Sequence, residues 1–185
     1  VTLLKNIENL PATIKIEKKL TITGGESKRS ITTSQRKIFE VYADATFKNL
    51  NLESTNSDGR CIDTRKPAIT VNIDNCNLIA KNQNSYYTQP LTIGGSGTDA
   101  SGNKAANIVV NLNKVNIEAK HYGIITFNPV DLTITDSSIT GYAALYFKGP
   151  DSSVGSSGSI VKINGESIIK GINSSKESTY SLTSQ

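Results

Sequence analysis

The sequence has no Met and no Trp, and only 6% of its 185 residues are aromatic. Charged residues are also few, at 19%, and the net charge is a modest +4. The basic residues are scattered along the chain, which argues against a nucleic-acid footprint. No run approaches the roughly 20 apolar residues of a membrane-spanning helix, so no membrane insertion is expected. A single histidine and two cysteines, Cys61 and Cys76, are too few for a histidine-based metal site or a disulfide framework. The chain opens on Val1 in a strand-like run, VTLLKNI, with neither Met nor a secretory leader. It is therefore read as one domain cut from a larger protein, with residues 1–12 leading in and residues 173–185 as a Ser-rich tail.

Asn, Ser, Thr, Ile and Gly take the place of the missing residues. That mixture suits short strands and polar turns and leaves little material for amphipathic helices. The Lys, Asn and Ile usage is also associated with bacteria of AT-rich genome.

Internal repetition is the most informative feature. Alternating apolar residues, a polar pair and a second alternation recur in ITVNIDNCNLIA from Ile69, IVVNLNKVNIEA from Ile108, VDLTITDSSITG from Val130 and IVKINGESIIKG from Ile160. Earlier copies begin at Val41 and, less regularly, at Thr13. Aligned on the last apolar residue before the polar pair, the anchors are Ile16, Phe47, Ile73, Leu112, Ile134 and Ile163. Their uneven spacing, from 22 to 39 residues, argues against helical repeats and fits stacked strands joined by loops of free length.

Within each copy the period is two, the mark of a strand. Leu50, Cys76 and Val115, three residues after the anchor, are expected to face inward. So are Leu52, Leu78, Ile117, Ile139 and Ile168, five after it. The pairs Lys48–Asn49, Asp74–Asn75, Asn113–Lys114, Thr135–Asp136 and Asn164–Gly165 read as tight bends, because Asn, Asp and Gly tolerate left-handed backbone. A third strand is expected at Cys61 to Arg65, Leu91 to Gly94, Gly123 to Phe127 and Ala143 to Phe147.

Three short strands per coil, one tight bend and two variable loops make the chain all-β, a parallel β-helix of about six coils. The apolar-x-apolar unit around an Asn-containing bend, together with the Gly-Ile-Ile-Thr-Phe run at Gly123, resembles the right-handed parallel β-helices of the pectate lyase-like superfamily. A β-sandwich is the competing fold. It would require antiparallel hairpins, with Asp58–Gly59 and Asn164–Gly165 as turns.

The resemblance implies a groove along the outer face of the first strand. Catalytic relatives converge carboxylates there, on calcium or as an acid–base pair. With Ile62, Thr64, Leu91, Ile93, Ile125, Phe127, Leu145 and Phe147 facing in, the outward row here is Asp63, Thr92, Thr126 and Tyr146. It holds one carboxylate. The bordering loops add Asp58, Arg60, His121, Tyr122 and Tyr142. Arg60 and Arg65 flank Asp63, an arrangement that also describes a surface ion pair worth about 0–1 kcal/mol. His121 has no orienting partner legible in sequence. Cys76 falls inward and Cys61 outward, as two separate thiols.

Tyr86 and Tyr87, adjacent in a loop, form a candidate sugar-stacking platform, although one ring could equally pack onto the coil. The stretch GGSGTDASG from Gly94 lacks the Lys-Ser or Lys-Thr of a phosphate loop and reads as a loop excursion.

No catalytic set is assigned on this basis. The leading expectation is a non-catalytic module of a bacterial cell-surface or secreted protein, extracellular or wall-associated. It would be an adhesin-like stalk binding a polysaccharide or host glycan through Tyr86, Tyr87, Tyr122, Tyr146 and Asp63, with no cofactor. The alternatives are a polysaccharide lyase or hydrolase using Asp63, Arg60, Arg65 and His121, with calcium if a lyase, and a self-assembling fibre component.

Overall fold

The computed structural model describes residues 1–82, 87–94, 106–148 and 158–172. Within them the chain makes three strands per coil, and equivalent strands stack into three six-stranded sheets. The first sheet contains β1 (Ile14–Ile16), β4 (Lys37–Val41), β7 (Arg60–Thr64), β10 (Leu91–Ile93), β13 (Tyr122–Thr126) and β16 (Ala143–Phe147). The second contains β2 (Leu20–Thr23), β5 (Ala45–Lys48), β8 (Thr70–Asp74), β11 (Ile108–Asn113), β14 (Val130–Thr135) and β17 (Ile160–Asn164). The third contains β3 (Arg29–Thr33), β6 (Leu50–Ser54), β9 (Asn77–Ala80), β12 (Asn116–Ala119), β15 (Ser138–Gly141) and β18 (Ile168–Gly171). Every strand pair is parallel, which rules out the sandwich and gives a parallel β-helix of about six coils.

The register follows the anchors. Phe47, Ile73, Leu112, Ile134 and Ile163 lie on successive rungs of the second sheet. The first four are buried, and each such side chain contributes roughly 1.5–3 kcal/mol. The polar pairs are the predicted bends: Asn49, Asn75, Lys114, Asp136 and Gly165 all have positive φ, between 47° and 61°. The first four bends are each tied to the next rung, as where the Asn75 amide donates to Asn113 O at 2.9 Å. The Asn75 side chain also donates to Asn49 Oδ1 at 2.8 Å. At Gly165 a Cβ would lie 2.0 Å from Asp136 Oδ1, so the close stacking of the bends adds to the demand for glycine.

Four expectations need correction. Ile16 belongs to the first sheet, and the residue that pairs with Phe47 is Ile22. The short loop between β1 and β2 makes two strands look like one copy of the repeat. In the last coil Ile169, not Ile168, pairs with Ile139, because this bend holds one extra residue. Cys61 is fully buried rather than outward. It sits at a corner, where its thiol donates to Leu52 O at 3.3 Å, and burial pushes its pKa up to about 12. Cys76 is also a buried free thiol, raised by burial to about 11.

The fourth correction is the register of β13. Ile124 pairs with Leu91, and Thr126 with Ile93. Ile124 and Thr126 therefore take the inward positions assigned to Ile125 and Phe127, and Ile125 points outward. The Ile124–Ile125 pair offers two apolar residues in succession, and the alternation does not choose between them.

At the first coil, residues 1–10 run along β2 and β3. Thr2 bridges Thr23, Ile7 bridges Ile31, and the Leu10 amide donates to Thr32 O at 2.8 Å. The Ser-rich tail from Ser174 lies outside the described residues.

Candidate functional site

The outward row of the first sheet runs Lys15, Glu40, Asp63, Thr92, Ile125, Tyr146, one residue per rung. It is charged at one end and aromatic at the other. Rungs lie about 4.8 Å apart, so Asp63 and Tyr146 are separated by roughly 14 Å. Although these residues point away from the core, Asp63, Thr92 and Ile125 are only 0%, 1% and 3% exposed.

At the charged end, Asp63 is held by Lys37 Nζ at 2.9 Å, Arg60 Nη1 at 3.1 Å and, more loosely, Arg65 Nη1 at 3.8 Å. All three approach Oδ2. Asp63 Oδ1 is buried with no hydrogen-bond partner among the described residues. Leaving a buried acceptor bare costs about 1–3 kcal/mol, whereas pairing is what makes the buried charge tolerable. Asp63, Lys37 and Arg60 form a largely buried, branched centre with Arg36 and Arg65 exposed at its edge, so the surface ion pair expected around Asp63 is corrected. Lys37 also pairs with Glu40, and Asp58 pairs with Arg36 and Arg60. The Lys37 hydrogen bond holds the Glu40 carboxyl below its ordinary value, against the opposing pull of burial. Over this cluster lies a cleft of about 470 Å³, lined by the four cations with Thr92, Gly94 and Phe127.

At the aromatic end, Thr88 clamps the bend that enters β13. Its hydroxyl accepts from the amides of Lys120 at 3.1 Å and His121 at 3.0 Å, and its carbonyl accepts from the Tyr122 amide. The following coil approaches the same bend closely at Gly141, where a Cβ would lie 2.7 Å from His121 O. The Tyr122 and Tyr146 rings stack at 4.6 Å and 9°. His121 packs against Tyr122 at 3.8 Å and Tyr142 at 5.5 Å. Tyr87, Tyr142 and Tyr146 are exposed. Burial, then the neighbouring phenols of Tyr146, Tyr142 and Tyr87, raise the Tyr122 pKa, and burial lowers that of His121.

The structure thus brings Asp63, Arg60 and Arg65 together, and separately His121, Tyr122 and Tyr146. The set named for an enzyme is split between the two ends, with His121 among the tyrosines. Tyr86 lies outside the described residues, as does most of the loop after Gly94. Arg36, Lys37 and Glu40 were missed because β4 was not recognised. A signal existed: Lys37-Ile38-Phe39-Glu40 and Arg60-Cys61-Ile62-Asp63 share the order basic, apolar, apolar, acidic, and they stack residue on residue.

The residues do not fit calcium. That ion takes six to eight oxygen ligands at about 2.3–2.6 Å, whereas Asp63, Glu40 and Asp58 are each engaged by cations. Among the described residues no group of three His, Cys, Asp or Glu side chains could hold a metal ion.

The fold defines the class, a parallel β-solenoid, in which the outward row of the first sheet is the one largely buried among the described residues. No family model, no curated protein and no solved structure matches the chain significantly.

Proposed function

We propose that the chain is a glycan-binding, adhesin-like module of a bacterial surface or secreted protein, with the outer face of the first sheet as its binding surface. The observation that carries this is the stacked Tyr122–Tyr146 pair, extended by exposed Tyr87 and Tyr142. Tyrosines offer sugars a flat apolar face and a hydroxyl edge at small entropic cost. Three of the four stem from coil-bound strands or their bends, a rigid footing that favours recognition of an extended chain.

The test is calorimetric titration with oligosaccharides selected on a glycan array. Tyr122→Ala and Tyr146→Ala are each expected to weaken binding by about three- to tenfold with the melting temperature nearly unchanged. Absence of binding to every glycan would leave a rigid spacer as the role.

A further inference from the structure

We propose that the two ends of the stack bind one another, the last coil of one copy docking head to tail on residues 1–10 of a second copy. The inference is independent of the glycan reading. It starts from the last coil, where Ile160, Ile163, Ile168 and Ile172 are 45–59% exposed, whereas Leu132, Ile134 and Ile139 on the rung before are buried. β17 and β18 are also edge strands of their sheets, so each has one row of backbone N–H and C=O groups unpaired within the sheet. Apolar side chains beside an open strand edge call for another strand.

The opposite end of the molecule carries the matching pattern. Residues 1–10 pair with β2 and β3 along one edge, through the Thr2–Thr23 and Ile7–Ile31 bridges, and no described strand pairs with their other edge. The first bridge places Val1 next to Ile22, at the start of the inward ladder that ends on Ile163. The second places Ile7 at the start of the ladder that ends on Ile169. Head-to-tail stacking sets Ile163 against Val1 of the second copy and Ile169 against its Ile7, in the parallel register of the rest of the stack. The charges agree with that register. Exposed Lys170 ends the outward row that begins on exposed Glu8. Exposed Glu166 lies in the bend between β17 and β18, at the corner where residues 1–10 carry exposed Lys5. One like-charge approach, Lys162 to the Val1 ammonium, stands against these two opposite-charge ones. The first sheet begins only at β1, so two of the three sheets make the contact. Such a contact is small and its affinity modest. It joins unlike faces, so nothing closes it and growth continues past the dimer.

Sedimentation velocity on the 185-residue chain at low salt, from about 10 µM to about 1 mM, is the first measurement. A series of oligomers extending past the dimer is expected. Each copy contributes the six strands of the second sheet and the rung of residues 1–3, so X-ray scattering should show rods that lengthen by roughly 34 Å per copy at constant cross-section. A monomer at the highest concentration, the result expected if residues after Ile172 cover the face, overturns the proposal. So does a dimer that stops growing, the sign of a symmetric contact between two last coils.

Charge swaps test the register. Glu8→Lys and Lys170→Glu are each expected to weaken association by about three- to tenfold at low salt, with the urea midpoint unchanged. The double variant Glu8→Lys/Lys170→Glu should return association to within about twofold of the wild type. A Glu8→Lys variant that associates as tightly as the wild type, or a double variant no tighter than the single ones, overturns the head-to-tail contact.

Discussion

The first and second sheets share one stack, one rung spacing and one alternation, yet their outward rows differ. On the second sheet, Asn72 and Asn111 are half-buried, and Asn111 Nδ2 donates to Asn72 Oδ1 at 2.9 Å. These short side chains satisfy one another from rung to rung and meet water directly. On the first sheet, the outward Asp63, Thr92 and Ile125 are almost wholly covered. Long Lys and Arg side chains rise beside them at one end and tyrosines at the other. The same backbone thus carries an open polar wall on one side and a lined groove on another. Among the described residues the two rows differ in side-chain type, short amides on one and long cations and tyrosines on the other.

The largest effect that would sharpen this contrast is at the outward positions themselves. Asp63→Ala leaves Lys37 with Glu40 alone and Arg60 with Asp58 alone, and is expected to cost about 3 kcal/mol in urea unfolding. Asn72→Ala, outward on the second sheet, should cost about 1 kcal/mol or less. Equal losses would erase the distinction between the two rows.

Next come the inward positions, where the two sheets should behave alike and the coils should differ. Ile73→Ala in a filled rung is expected to cost about 2–5 kcal/mol. Ile163 shares its register but is 45% exposed at the last described rung, and Ile163→Ala should cost about 1 kcal/mol. A large loss at Ile163 would show that this end is covered.

The bends come third. Asn75→Ala keeps a Cβ at φ 49° and loses the bond to Asn49, for about 1–2 kcal/mol. Asn75→Gly relieves the backbone and should cost less than the Ala variant.

The smallest effect is on pH dependence, and on the acid side the described groups that carry it are His121 and Glu40, both at the first sheet. Burial lowers the His121 pKa from its ordinary 6.5, and Lys37 lowers that of Glu40 from 4.5. Both folded values lie below the unfolded ones, so the unfolded chain takes up these protons first as pH falls. The stability each contributes is complete above its unfolded value and is lost as pH falls through the folded one. Urea midpoints should therefore begin to drop below pH 6.5 and drop again below pH 4.5. His121→Gln should remove the first step and Glu40→Gln the second.

Much of the stack was legible because its causes are local. Alternation marked the inward ladder from Phe47 to Ile163, and Asn, Asp and Gly marked the bends. Lys114 is an exception: its positive φ is imposed by the stack, with Asn113 before it supplying the only turn-forming chemistry. The failures occurred where alternation is ambiguous. Ile124 and Ile125 are both apolar, Cys61 turns into a corner, and Ile16 sits one short loop from the ladder it was assigned to. The site was partly legible: Asp63, Arg60 and Arg65 are close in sequence, as are His121 and Tyr122. Lys37 reaches Asp63 from the coil below, and Thr88 reaches the aromatic bend from a coil away. Proximity across rungs depends on loop lengths, which follow no period.

The most direct measurement is a map of backbone amide shifts on adding a bound oligosaccharide. Perturbations should cluster on Thr92, Ile125 and Tyr146 of the first sheet and spare Asn72, Asn111 and Thr133 of the second. Shifts centred on the second sheet, or on the third, would contradict the assignment of function to the covered face.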